Sequence, residues 1–288
     1  VCLCKRRFVT VNRLFQASLF SFWLGATASP ANGQYTFGVT PVAVAVENAS
    51  RHTGVWNSAS TGGGFADWTF STVEPAGGTA SHGLVSFSSD IDTDGLSLAL
   101  IAHSAVNATA SAQLDAPEPL RTGDTMRFTI AMTTSIGVHR FFLQSDDGTS
   151  LFIFTATPSS LTLFHSGSTE NLFSGTTDPA TVIQFAFTQN ATTLDWSATR
   201  SGGRTETQSG TVSGIASGTV KRFLISNRSS SAAADVSGER HLYVNSISIE
   251  SRHTIPDGAS VTFSAPMAVP YLDLRSGATL DLDGHDLT

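Results

Sequence analysis

Met126-Arg-Phe-Thr-Ile-Ala-Met-Thr133 sets Phe128, Ile130 and Met132 on one side of an extended chain and Arg127 and Thr129 on the other. A period of two is the geometry of a strand with one buried face. The same alternation returns in Val138–Gln144, in Ser150–Thr155, where Phe152 and Phe154 share a face, and in Val182–Thr188, where Phe185 and Phe187 do. Further short runs of this kind extend from Asp67–Thr72 to Leu242–Ile249, the last with a register break expected near Asn245. Gly77-Gly78, Asp94-Gly95, Asp146-Asp-Gly148 and Gly202-Gly203 punctuate them, and no segment keeps a helical period over helical length. Many short strands divided by Gly and Asp turns read as an antiparallel sandwich or barrel. The 19 Phe residues mostly fall at inward positions and are read as core.

Composition agrees. Only 14% of the residues are charged and 40% are hydrophobic, enough to fill a core. The net charge is −7, and −11 without Lys5, Arg6, Arg7 and Arg13. An acidic body excludes a nucleic-acid partner, whose phosphates need a basic face. Those four basic residues precede the apolar run Leu14–Gly25 and the small-x-small triplet Ala26-Thr-Ala28, the three-part order of a secretory signal peptide over residues 1–28. No later stretch is apolar for long enough to be a transmembrane helix. Cys2 and Cys4 lie ahead of the apolar run, so the mature chain is expected to lack disulfides and thiolate metal sites.

The C-terminal end carries a different pattern. Gly258-Ala-Ser-Val-Thr-Phe263 returns nineteen residues later as Gly277-Ala-Thr-Leu-Asp-Leu282. A small turn residue followed by alternating apolar positions at a fixed step is the mark of a β-solenoid, whose rungs must stack to bury their apolar faces. The pattern is still running at Thr288, so a longer repeat protein is expected. The chain thus divides into a signal peptide (1–28), a lead-in segment (29–55), a sandwich (56–252) and the first rungs of a solenoid (253–288).

Several stretches resemble known families. Asp90-Ile-Asp-Thr-Asp-Gly-Leu-Ser-Leu-Ala-Leu100, Leu120-Arg-Thr-Gly-Asp-Thr-Met-Arg-Phe128, Asn190-Ala-Thr-Thr-Leu-Asp-Trp196 and Tyr243-Val-Asn-Ser-Ile-Ser-Ile249 resemble the concanavalin-like jelly-roll sandwiches of large secreted bacterial proteins. The run from Ile255-Pro-Asp-Gly to Asp283-Gly-His-Asp-Leu287 is similar to the repeats of autotransporter-associated β-strand proteins. The resemblance implies an all-β protein, an antiparallel jelly-roll sandwich followed by the start of a β-solenoid. It also implies export to the bacterial surface or medium, and glycans or cell-surface polysaccharide as ligand class.

Candidate chemistry is sparse. Asp90, Asp92 and Asp94, at alternate positions before Gly95, could converge on a hard cation such as calcium. The pattern departs from an EF-hand, because Ile101 stands where that loop needs a bidentate Glu, and an ordinary Asp/Gly turn explains the same residues. Eight scattered His residues show no metal-ligand spacing. The paired carboxylates of a glycosidase, a Gly-x-Ser-x-Gly elbow and a phosphate loop are absent, so no catalysis is expected. Sugar rings stack on exposed aromatic faces. Trp68 and Trp196 share faces with core residues, whereas Trp56, next to a Gly-rich loop, is expected to be exposed and, with Asn57, to bind ligand. Three functions fit: a binding or adhesion module, a structural spacer or cap of the solenoid, and the non-catalytic front of a polysaccharide-degrading enzyme.

Overall fold

The structure is a computed structural model that describes residues 8–10, 41–58, 63–87, 90–132, 137–173, 181–201, 204–234, 240–255, 258–262 and 272–282. The apolar run Leu14–Gly25, Ala26-Thr-Ala28 and Asp283–Thr288 lie outside them. The strands in chain order are β1 (Phe8–Thr10), β2 (Val42–Glu47), β3 (Thr69–Val73), β4 (Thr79–Val85), β5 (Ser97–His103), β6 (Thr109–Asp115), β7 (Thr125–Met132), β8 (Gly137–Gln144), β9 (Ser150–Thr157) and β10 (Ser160–His165). They continue as β11 (Ser168–Asn171), β12 (Thr181–Gln189), β13 (Thr193–Ser201), β14 (Glu206–Ser213), β15 (Arg222–Ser229), β16 (His241–Ser251), β17 (Thr254–Ile255), β18 (Ser260–Thr262), β19 (Asp273–Leu274) and β20 (Thr279–Asp281). They fall into two compact units, residues 43–249 and residues 1–42 with 250–288. Residues 43–55 of the lead-in segment therefore belong with the larger unit.

The larger unit is an antiparallel two-sheet sandwich. One sheet has the order β11-β10-β9-β8-β15-β6-β3, and the other β14-β13-β12-β7-β16-β5-β4, with β2 also pairing β16. The chain changes sheet between β2 and β3, β3 and β4, β5 and β6, β6 and β7, β7 and β8, β11 and β12, β14 and β15, and β15 and β16, which is jelly-roll connectivity. Alternation supplies the two inner faces. Phe128, Phe185 and Phe187 from β7 and β12 meet Phe141, Phe152, Phe154 and Phe223 from β8, β9 and β15, with ring centroids 4.9 Å apart for Phe128–Phe141 and 4.5 Å for Phe128–Phe223. Aromatic pairs of this geometry add about 0.5–1.5 kcal/mol each beyond the area they bury.

Two buried amides pair backbone groups that a purely apolar core would leave unpaired. Asn227 of β15 donates to the carbonyls of Leu100 (2.8 Å) and Arg240 (2.6 Å), linking one sheet to the other. Asn245 does the same work at the break in β16. This strand pairs β5 only from His241 to Val244, and Ser246 then enters the left-handed region at φ 53°. The Asn245 amide binds the carbonyl of Ile91 and the N–H of Ala49, holding the segments on either side of the break.

In the smaller unit β17 pairs β19 and β18 pairs β20, both in parallel. Thr254 lies opposite Asp273, and Val261 opposite Leu280, so each partner is nineteen residues on, the step of the sequence repeat. Gly258 and Gly277 both take φ 69°, and the Gly258 N–H donates to the Ser276 carbonyl. Ile255, Val261, Ala278 and Leu280 form a small separate core. The other edge of β20 is taken by β1, antiparallel, with Val9 opposite Leu280.

Candidate functional site

The Asp90–Asp94 string is a tight turn. Thr93 and Leu96 exchange both backbone hydrogen bonds, and Asp94 (φ 52°) and Gly95 (φ 76°) sit between them in the left-handed region, as a type I′ turn requires. Asp94 is there because Asp tolerates that conformation, and it is exposed, as is Asp90. Asp92 turns back onto its own loop, where it accepts from the Phe87 N–H (2.9 Å), the Ser97 hydroxyl (2.6 Å) and the Ser86 hydroxyl (3.2 Å). Among the described residues no three His, Cys, Asp or Glu side chains gather into a metal site. Asp90, Asp92 and Asp94, expected to share a calcium ion, are thus not brought together among the described residues, and the Asp92 carboxylate serves internal donors. Asp92→Ala is expected to cost about 2–3 kcal/mol, the scale of lost charge-assisted bonds. Thermal melts should show the same loss in calcium and in chelator, and a loss seen only in calcium would restore the metal.

Trp56 is also corrected. It is 2% exposed, edge-on to Trp68 at 4.9 Å, to Phe70 at 5.0 Å and to His82 at 5.7 Å. Phe70 on β3 stacks on His82 of β4 at 3.7 Å. These edge strands of the two sheets lie beside each other, and the rings close the open side between them. Burial holds the His82 imidazole below its ordinary pKa, partly opposed by the backbone of Trp56. Gly63 of the Gly-rich loop lies against β2. The Val46 N–H donates to the Gly63 carbonyl at 2.7 Å, and a Cβ on Gly63 would lie 1.8 Å from the Val46 carbonyl oxygen. Small residues there permit close backbone approach to β2. Asn57 remains exposed beside a Trp56 that has no free face.

Elsewhere Asp146-Asp-Gly148 forms the expected hairpin turn between β8 and β9. Asp147 accepts from the Ser145 hydroxyl and the Thr149 N–H, which pull its carboxyl down to about 2. A narrow crevice lined by Leu114, Leu120, Met126, Val220 and Phe223, with Lys221 and Arg222 also against it, has essentially no room for a water molecule.

The sheet faces differ. On the eight-stranded sheet Ile91 and Phe87 fold over Tyr243, Ala99, Ala131 and Val182, so the chain covers part of that face itself. Much of the remainder is Ser and Thr whose hydroxyls bond one another, as Thr125 with Thr188 (3.0 Å) and Thr199 with Thr207 (3.2 Å), or a neighbouring Asp, as Thr211 with Asp195 (2.7 Å). The outer face of the seven-stranded sheet is built otherwise. Register places Phe164, Ile153, Phe142 and Leu224 side by side across β10, β9, β8 and β15. Phe164 is 40% exposed and the other three are half-buried. Beside this apolar row runs a polar one, Thr162, Thr155, Arg140, Ser226 and Ser111. The expectation that the Phe residues are mostly core does not extend to Phe142 and Phe164. The signal was present, since neighbours such as Phe141 and Phe142 cannot both face inward on a strand, nor can Leu163 and Phe164.

No family model matches the chain, and no curated protein matches it. Among solved structures the chain is similar to lectin II from Ulex europaeus, with 11% identity over 73% of this chain and 100% of that one and a TM-score of 0.42. It is also similar to a protein of unknown function from Shewanella oneidensis MR-1, with 8% identity over 83% and 100% of the chains and a TM-score of 0.44. A galectin from Caenorhabditis elegans matches at 16% identity over 48% and 88%, with a TM-score of 0.30.

Proposed function

We propose that this chain is an exported, non-catalytic binding module at the front of a surface or extracellular repeat protein, with glycans as its ligand class. The observation that carries the reading is the row Phe164–Ile153–Phe142–Leu224 lying beside the hydroxyls of Thr162, Thr155 and Ser226. A sugar ring has an apolar C–H face and a rim of hydroxyls, and it needs those two kinds of surface side by side. Export rests on the three-part order of residues 1–28. The solenoid reading is supported by two parallel pairings at the nineteen-residue step, and they also favour a second reading in which the chain is a spacer or cap of a repeat array.

A glycan array probed with the full chain separates the two. The binding reading expects retention of at least one glycan class, lost when Phe164 and Phe142 are both replaced by Ser. A folded chain that retains nothing on a broad array is a cap or spacer instead.

A further inference from the structure

The same face carries charge that the rest of the molecule does not match. The protein has a net charge of −7, yet the register rows through Arg140, Phe142 and Val138 contain two arginines, Arg140 and Arg228, and no carboxylate. Arg228 is occupied, its Nε donating to the Asn107 side-chain oxygen at 3.0 Å. Farther out, Arg222 pairs with Asp115 at 3.3 Å. Arg140 differs from both. It stands on the central strand β8, between Thr155 and Ser226, with Phe142 two residues along on the same face. Among the described residues no carboxylate pairs with it, and its Nε is shielded from solvent without a hydrogen-bond partner. A half-buried guanidinium with unused donors is costly unless something anionic completes it.

We propose that Arg140 is a specificity-determining residue for an anionic glycan, which stacks on the Phe164–Phe142 row and sets a ring carboxylate or sulfate ester against the guanidinium. The inference rests on the glycan-binding reading above. Arg suits the task because its planar fork can donate two parallel bonds to such a group. The position at mid-sheet suits it too, because flanking apolar side chains exclude water and strengthen the pair. The acidic remainder of the protein repels polyanions in general, so only a ligand engaging this face gains from its charge.

The experiment measures binding of the full chain to a polyuronate, a sulfated polysaccharide and a neutral glucan, alone and as Arg140→Gln and Phe164→Ser, with sedimentation of each. The proposal expects one or both acidic polymers to bind better than the neutral one, and which of them binds names the anion. Arg140→Gln should weaken acidic binding by about tenfold or more, the scale of a lost charge-assisted pair, and leave neutral binding within about twofold. Phe164→Ser should weaken all binding. Equal binding of neutral and acidic polymers, or acidic binding unchanged in Arg140→Gln, overturns the role of Arg140 and leaves the glycan reading standing. No binding of any polymer by the folded chain overturns both. A dimer that Phe164→Ser dissociates assigns the face to a second copy of the chain and overturns the proposal.

Discussion

Phe141→Ala is expected to lower the unfolding free energy by about 3–5 kcal/mol, the range for emptying a large aromatic site in a packed core. The ring is fully buried and lies 4.6 Å from Phe185, 4.9 Å from Phe128 and 5.4 Å from Phe154, so it touches both sheets at once. Partial collapse cannot refill the space, because these neighbours are held on strands of two different sheets. Phe142→Ala, one residue on, removes the same atoms from the outer face and should cost about 1 kcal/mol or less. Denaturant titration followed by tryptophan fluorescence reads the comparison, since Trp56, Trp68 and Trp196 all belong to the sandwich core. Equal losses at the two positions would contradict the facing of β8, and with it the outer row on which the binding reading depends, because a one-residue slip exchanges the two faces.

Asn245→Ala should cost about 3–4 kcal/mol through a different mechanism, the stranding of buried backbone groups. The Asn245 oxygen accepts from the N–H of Ala49 (2.9 Å) and of Ser246 (3.1 Å). Its NH2 donates to the carbonyls of Ile91 (2.8 Å) and Leu96 (3.2 Å) and to the Thr93 hydroxyl (3.2 Å). Alanine supplies none of these bonds. Asp would keep the acceptor, lose the donors and bury a charge, so it should do no better. Hydrogen exchange should show the Ala49 amide losing protection in Asn245→Ala before the β8 and β9 amides do. A loss below about 1 kcal/mol would mean that water enters and replaces the side chain, at odds with its complete burial.

How much of this was legible depended on range. Strands announced themselves wherever one face is apolar, and β7, β8, β9 and β12 lie close to the runs read from alternation. Asp94-Gly95 and Asp146-Asp-Gly148 could be read as turns because the conformations they permit are local properties. Partnership was not legible. Asp92 looks like a ligand beside Asp90 and Asp94, yet its donors come from Ser86, Phe87 and Ser97 through the way the loop folds back. Trp56 looks exposed beside Asn57 and a run of glycines, but Trp68, Phe70 and His82 reach it from the edges of two sheets.

The outer row shows the same division. That Phe142 and Phe164 point away from the core follows from their neighbours Phe141 and Leu163, since a strand sends adjacent side chains to opposite faces. That they align with Ile153 and Leu224, and that Arg140 lies in the next row without a carboxylate, depends on the register of strands up to about eighty residues apart in sequence. The sequence by itself determined the all-β class, the turns and the nineteen-residue step of the C-terminal strands, because backbone preference and side-chain period act over a few residues. Only the tertiary structure decided which polar groups are spent on the protein itself, because hydrogen bonds and burial are settled by whichever strands come to lie side by side.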